Sequence, residues 1–384
     1  MNIKLINIIL LLFLLAAANE CLPQKWVNNN ITEYFSKILL DDMNSTKNDI
    51  WLLGMGYLYR IHDSTIKSYE IPAKINEGSL IDYERTNFNE KAEKKEESTE
   101  TIGKTNYSLL SGNGSVLWMI QPVTNKYFTI IEGEDFKQFN CTCELLDITS
   151  EIINHQVDEY GKLWILYRLY NSKEYVLFSV DKSGKYDINK IEFSFPVNMI
   201  KCFFIYKGKL HFVISKYNKE RGIYSDYDVL YPDDSKIVQI NEYISDSGFN
   251  DIGYKIHIIN NDRCILISSN GKILFPDNIG IMYNNDFKIL SKGSCFWFTL
   301  VNKLIYFTNA DGFFKYDIES GRLLEVIDYI LPKGYYTSPT PYYYDMKNIF
   351  YFNNCIWGLK CSWDKEGKPL CNVKTNGIKI YKLK

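Results

Sequence analysis

Three segments of this 384-residue chain repeat one arrangement at a fixed interval, and that interval constrains the fold more than any other feature. Gly114-Ser-Val-Leu-Trp118, Gly161-Lys-Leu-Trp164 and Gly208-Lys-Leu-His211 each set a turn glycine ahead of an apolar run, and the glycines stand 47 residues apart. Asn48-Asp49-Ile50-Trp51 opens in the same way. Its distance to Trp118 reduces to the same period once a charged insertion of about 20 residues is taken out. His257, Ile305 and Phe350 continue the spacing, but more loosely. The chain is 46% hydrophobic, so an apolar residue near any chosen point is common, and Gly271 breaks the glycine register.

Each interval holds several strand-like runs, among them Leu163 to Tyr167, Tyr175 to Val180, Lys190 to Phe195 and Met199 to Tyr206. Phe314, Tyr316 and Ile318 alternate with Lys315 and Asp317, the period-2 pattern of a half-buried strand. Asn270-Gly271, Asp311-Gly312 and Asn376-Gly377 supply the positive backbone angles that tight hairpins need. Aromatics reach 15% of the chain, with 30 Tyr and 22 Phe, and flat rings suit pleated surfaces. One helical pattern occurs: Ile31, Tyr34, Phe35, Ile38 and Leu39 fall on one face, with Asn30 or Thr32 as cap. Long helical patterns are otherwise missing, which disfavours parallel sheets with crossover helices.

Four short strands every 40 to 50 residues are the mark of a β-propeller blade. Asp158-Glu-Tyr-Gly161-Lys-Leu-Trp164 and Asp311-Gly312-Phe313-Phe314-Lys-Tyr316-Asp-Ile318-Glu-Ser-Gly321 look like loose versions of the aspartate–glycine–aromatic punctuation of secreted and extracytoplasmic propeller repeats. The resemblance spans Asn48 to Lys384 and is generic, with no kelch double glycine, regular WD dipeptide or NHL-type signature. The expectation is therefore an all-β propeller of six or seven four-stranded blades, seven preferred, over residues 48–384. A segment at 19–47 with a short helix precedes it. The final Ile378 to Leu383 strand is expected to pair with an N-terminal segment and close the ring, which removes exposed edges. Residues 87–104, including Glu90-Lys-Ala-Glu-Lys-Lys-Glu-Glu97, offer nothing to bury and read as a disordered surface insertion.

The first 18 residues read as a secretory signal peptide: Lys4 near the start, a short apolar run from Leu5 to Leu15, and Ala16-Ala17-Ala18 as the cleavage site. A secreted, extracellular chain without a membrane anchor follows. Nine cysteines then gain meaning, because an oxidising compartment permits disulfides. Cys21, Cys141, Cys143, Cys355, Cys361 and Cys371 are the disulfide candidates, the last three as a possible staple of the C-terminal region. Cys202 and Cys264, inside apolar runs, read as core thiols. The odd total leaves at least one thiol free or paired between chains. Asn30, Asn44, Asn106, Asn113 and Asn140 head N-x-S/T sequons and are the glycosylation candidates. A net charge of -2 supplies no basic field to collect nucleic acid.

No G-x-S-x-G, H-E-x-x-H, P-loop or G-x-G-x-x-G motif occurs. Four His without ligand spacing and no C-x-x-C argue against a zinc site. Ser179-Val-Asp181-Lys-Ser-Gly184-Lys-Tyr186 approaches a sialidase-type Asp box but carries one residue too many, and reads as a hairpin turn. Asp226 with Asp228, and Asp233 with Asp234, cluster carboxylates of the kind calcium prefers; both pairs read instead as exposed turn acids, so no metal or cofactor is expected. The most distinctive composition is Gly334-Tyr335-Tyr336-Thr-Ser-Pro-Thr-Pro-Tyr342-Tyr343-Tyr344. Two prolines exclude a central strand, and rigid rings with hydroxyls suit recognition, so Tyr335, Tyr336, Tyr342 and Tyr343 are the candidate ligand-binding residues. The function expected is a recognition module for an extracellular protein or glycan. The alternative is a secreted propeller hydrolase of glycans or lactones using channel-lining acids, although no catalytic motif is present.

Overall fold

A computed structural model of the chain describes residues 26–27, 30–54, 57–63, 65–70, 109–120, 127–132, 135–140, 150–169, 174–244, 254–260, 263–268, 272–276, 282–289, 295–309, 312–329, 346–361 and 375–383. The leader, the charged insertion at 87–104, and Cys21, Cys141, Cys143 and Cys371 lie outside these residues.

β1 (Trp26–Val27), helix α1 (Asn30–Tyr34) and β2 (Leu39–Leu40) come first. Six four-stranded antiparallel sheets follow, each a meander of consecutive strands. The first holds β3 (Asp42–Ser45), β4 (Asp49–Gly54), β5 (Tyr57–His62) and β6 (Thr65–Glu70). The second holds β7 (Leu109–Gly112), β8 (Leu117–Ile120), β9 (Tyr127–Glu132) and β10 (Asp135–Asn140). The third holds β11 (Ser150–Val157), β12 (Leu163–Leu169), β13 (Tyr175–Val180) and β14 (Tyr186–Lys190). The fourth holds β15 (Met199–Tyr206), β16 (Lys209–Asn218), β17 (Ile223–Tyr231) and β18 (Ile237–Ile244). The fifth holds β19 (Tyr254–Asn260), β20 (Arg263–Ser268), β21 (Lys272–Pro276) and β22 (Met282–Ile289). The sixth holds β23 (Cys295–Val301), β24 (Leu304–Asn309), β25 (Gly312–Asp317) and β26 (Arg322–Tyr329). β27 (Met346–Phe352), β28 (Cys355–Cys361) and β29 (Thr375–Lys382) form a last sheet, completed from the other end of the chain by β1 and β2, both on β29.

The first strands β3, β7, β11, β15, β19, β23 and β27 touch one another in turn, and β27 returns to β3. That closed cycle makes the fold an all-β propeller. Six blades, rather than the preferred seven, are four-stranded meanders; the remaining sheet is a five-stranded composite of both chain ends. Trp26 and Val27 lie opposite Tyr381 and Ile380, while Leu39 and Leu40 lie opposite Asn376 and Thr375.

Second strands are buried on both faces because every sheet packs between two neighbours: all residues of β4 and β8 are buried. Outer β14, with only Ile188 half-buried, carries the polar edge. Trp51, Trp118, Trp164 and His211 each fall on the second strand of their sheet, so the 47-residue register is that of successive blades. Ile305 on β24 keeps the register. His257 on β19 and Phe350 on β27 are on first strands instead, since the strand and loop lengths change there.

The aspartate–glycine punctuation is turn chemistry. Asp158 accepts hydrogen bonds at Oδ1 from the Tyr160 and Lys162 amides, both at 2.9 Å, and at Oδ2 from the Trp164 indole at 2.8 Å. Asp181 repeats this with Ser183 and Lys185, which confirms the turn reading of the near-Asp-box. Gly161 and Gly184 close the two turns at φ values of 82° and 89°.

The N-terminal helix is shorter than the apolar spacing predicts. It stops at Tyr34, a 3-10 turn covers Phe35–Lys37, and Ile38 is already extended. Ile31 and Phe35 are buried, but Tyr34 is 49% exposed. Pairing of Leu39 and Leu40 with β29 supplies hydrogen bonds that a longer helix would forfeit.

The disulfide expectation for Cys355 is overturned, because its thiol is free and half-buried. Cys355 and Cys361 begin and end one extended strand, which sets them about 20 Å apart at ~3.3 Å per residue, far beyond disulfide reach. Cys202 is a free, buried core thiol, as expected.

Candidate recognition surface and the polar network beneath it

Lys201, His211, Ser215, Asp226, Asp228 and Asn241 are all buried, and all belong to the β15–β18 sheet. One face of this sheet, with Phe203, Phe212, Ile214 and Val229, packs on Leu166 and Leu177 of the preceding blade. On the other face Cys202, Phe204 and Val213 meet Tyr254 and Leu266 of the following blade. Alternation along β16 puts His211 and Ser215 on the same side as Val213. The polar network therefore lies between two blades.

Its geometry satisfies most of the buried charge. The Tyr254 hydroxyl donates to Asp226 Oδ2 at 2.6 Å and accepts from Asn241 Nδ2 at 3.1 Å, so the first strand of one blade is tied to β17 and β18 of the other. His211 Nδ1 lies 3.1 Å from Asp228 Oδ1 and 3.2 Å from Oδ2, and its ring stacks on Phe204 at 4.7 Å. Carboxylates without such partners would cost several kcal/mol each to bury. Burial, then the charge of Asp226, holds the Tyr254 hydroxyl well above its usual range. Burial, then Asp228 and Asp226, pushes the Cys202 thiol up as well, so it stays protonated and is a poor nucleophile.

The network reaches the surface through tyrosines. Tyr217, Tyr224 and Tyr243 are directly opposite one another on β16, β17 and β18. Their rings form a ladder: Tyr217 to Tyr224 at 4.6 Å, and Tyr224 to Tyr243 at 5.6 Å with planes 16° apart. At the inner rung, Lys201 Nζ lies 5.5 Å from the Tyr243 ring. Burial raises the Tyr243 pKa, and Lys201 opposes that rise. Tyr217, at the outer rung, is 39% exposed. The hairpin that sets this register turns at Asn218, whose Oδ1 accepts from the Glu220 and Arg221 amides at 3.0 and 3.2 Å. Each stacked pair contributes ~0.5–1.5 kcal/mol beyond burial, so the rungs are preorganised.

A second ionic group ties one blade internally. Buried Asp49 accepts a hydrogen bond from Arg60 Nη2 at 3.1 Å, with Arg60 Nε 3.0 Å from its other oxygen, and lies 2.7 Å from His62 Nδ1. Around the ring, Asp42 accepts from the Leu110 amide at 2.7 Å and from Asn348 Nδ2 at 2.6 Å, which joins β3 to the first strands on both sides. Gln156 does the same between β11 and β15.

Tyr335, Tyr336, Tyr342 and Tyr343 lie outside the described residues. Asp226 and Asp228 are not turn acids: they are 0% and 1% exposed in mid-strand, committed to Tyr254 and His211. Asp233 does sit in a turn, where Ser235 Oγ donates to it at 2.6 Å. Among the described residues no three His, Cys, Asp or Glu side chains gather as a metal site, and no helix is long and apolar enough to cross a membrane. Of the sequon asparagines, Asn30 is exposed at the start of α1. Asn44 Nδ2 donates to the Leu110 carbonyl at 3.4 Å, and Asn113 Nδ2 to the Asp158 carbonyl at 2.6 Å. The side chains of Asn106 and Asn140 lie outside the described residues.

No protein-family model matches the chain, and no curated protein does. Solved structures similar to it include one titled YCF48 bound to D1 peptide, 12% identical, with a TM-score of 0.47 over 94% of this chain and 96% of that one. The WD40 β-propeller domain of Doa1 is 9% identical, with a TM-score of 0.44 over 93% and 95%. Apo AztD from Citrobacter koseri is 8% identical, with a TM-score of 0.36 over 80% and 71%. Likenesses this distant carry no functional argument.

Proposed function

We propose that the chain is a propeller recognition module that binds a partner protein, with the Tyr217–Tyr224–Tyr243 ladder as part of the contact surface and a secretory route set by the N-terminal leader. The ladder carries this reading. It holds the exposed Tyr217 ring against half-buried Tyr224 and Tyr243, so that ring is preorganised and costs little entropy on binding. It also favours protein over glycan. A sugar stacks on an open ring face, whereas the Tyr224 ring has a neighbour 4.6 Å away on one side and 5.6 Å on the other. The 334–345 tyrosine loop belongs to the same proposal as a second contact.

The test is binding of the fluorescently labelled full chain to cultured cells, before and after surface proteolysis or glycosidase treatment. Binding should fall on proteolysis and survive deglycosylation. Tyr217→Ser with Tyr224→Ser should weaken it at least tenfold, about 1.4 kcal/mol. Tyr335, Tyr336, Tyr342 and Tyr343 changed together to Ser test the loop in parallel. Binding unchanged by either set of substitutions refutes the assignment.

A further inference from the structure

His62 ends β5 with its ring half exposed, and the residues around it fix which nitrogen is open. Asp49, buried on the facing strand, lies 2.7 Å from His62 Nδ1, and Arg60 approaches its two oxygens at 3.0 and 3.1 Å. A carboxylate paired with a guanidinium only accepts hydrogen bonds. The proton of the neutral ring therefore sits on Nδ1, and Nε2 presents its lone pair away from Asp49. Asp63 meets it there: its Oδ2 lies 3.8 Å from Nε2, on a side chain that is 86% exposed. Strand neighbours ordinarily point to opposite faces. Asp63 instead opens the hairpin turn at a φ of 52°, which brings its carboxylate back beside the ring. Two electron-rich atoms this close favour a cation between them.

From this geometry we propose that His62 Nε2 and the Asp63 carboxylate form a binding site for a borderline divalent metal ion such as Zn2+, with water in the remaining positions. Bonds of about 2.1 Å in a tetrahedral site set two ligand atoms about 3.4 Å apart, so the exposed Asp63 carboxylate has to move by only about 0.4 Å. Asp49 is the positioning residue. Metal-bound imidazoles almost always give their other N–H to a carboxylate, carbonyl or water, which fixes the ring and makes it a stronger donor. Arg60 in turn holds Asp49 in place. One nitrogen and one carboxylate suit Zn2+ over Mg2+, which prefers oxygen ligands and keeps its water. With two protein ligands, fewer than a structural zinc site uses, this is an exchangeable surface site. Histidine spacing gives no sign of it, because the second ligand is an aspartate that a turn delivers.

The experiment titrates the full chain with ZnCl2, and separately with MgCl2, by isothermal titration calorimetry in a buffer that does not bind metal. Zn2+ should occupy a site from which excess Mg2+ does not displace it. His62→Gln should abolish that site. Asp63→Gly suits the left-handed turn and removes only the carboxylate, and should weaken binding by about tenfold or more. A reading that needs no variant comes from NMR spectra of the native chain, where Zn2+ should shift the His62 ring resonances and not those of buried His211. Absence of a Zn2+ site, Zn2+ affinity unchanged in either variant, or a His62 ring that does not respond to Zn2+ overturns the inference.

Discussion

Replacing Tyr254 with Phe removes one oxygen from the junction between two blades and keeps the ring. In the native chain that oxygen donates to Asp226 at 2.6 Å and accepts from Asn241 at 3.1 Å, with Tyr254 only 5% exposed. A hydrogen bond to a charged group is worth ~1.5–3 kcal/mol, and leaving the Asn241 amide short of an acceptor adds about 1 kcal/mol, so the loss is about 3 kcal/mol. A chain of this length has an unfolding entropy of roughly 0.8 kcal/mol/K, so the midpoint should fall by about 4 °C in scanning calorimetry. Asp226→Asn combined with Tyr254→Phe should be less damaging than the sum of the single changes, because both break the same contact. Alkaline pH supplies a second readout. The folded-state pKa of Tyr254 is raised above the usual 10.0, so the folded chain holds this proton more tightly than the unfolded chain. The stability tied to it is fully present below about pH 10 and fades as pH rises toward the folded value. Tyr254→Phe should therefore flatten the alkaline loss of stability. A midpoint shift below about 1 °C, or strict additivity in the double mutant, would refute the claim that this contact joins the blades.

Three further outcomes follow from particular contacts. Gly184→Ala would place Cβ 2.3 Å from Phe139 at a φ of 89°, and should cost about 2 kcal/mol or more by urea titration. Gly208→Ala meets nothing within 4 Å and should cost only the left-handed backbone penalty of ~1 kcal/mol; equal losses would show that the Phe139 contact is immaterial. Cys355 should alkylate in denaturant without reductant, and a requirement for reductant would reinstate the disulfide. Cys202, buried and held protonated, should resist iodoacetamide in the native chain and react on unfolding; native labelling at the rate of an exposed thiol would contradict its placement.

Several features were open to reading before any fold was known, because they are local. Glycine before an apolar strand repeats every 47 residues since each blade needs the same turn at the same point, and Asp158 and Asp181 bond to amides within their own turns. The tyrosine ladder gives no such signal. Tyr217 and Tyr224 meet because the turn at Asn218 sets the register, and Tyr243 joins them only after β18 shifts past a bulge at Asp226; among 30 tyrosines nothing marks these three. Asp226 and Asp228 mislead for a related reason. Adjacent acids suggest a turn, yet here they sit in a strand because Tyr254 and His211, far along the chain, arrive to satisfy them.

The amino-acid order alone determined the strand-rich repeat, its turn chemistry and a terminal strand able to pair with the other end of the chain, because each follows from neighbours within a few residues. Closure of seven sheets into a ring, the composite sheet that seals it, the shortened first helix and the free Cys355 were decided in three dimensions. Covering both faces of every sheet is a condition on distant segments, and local preference gave way wherever burial and backbone pairing stabilised another arrangement more.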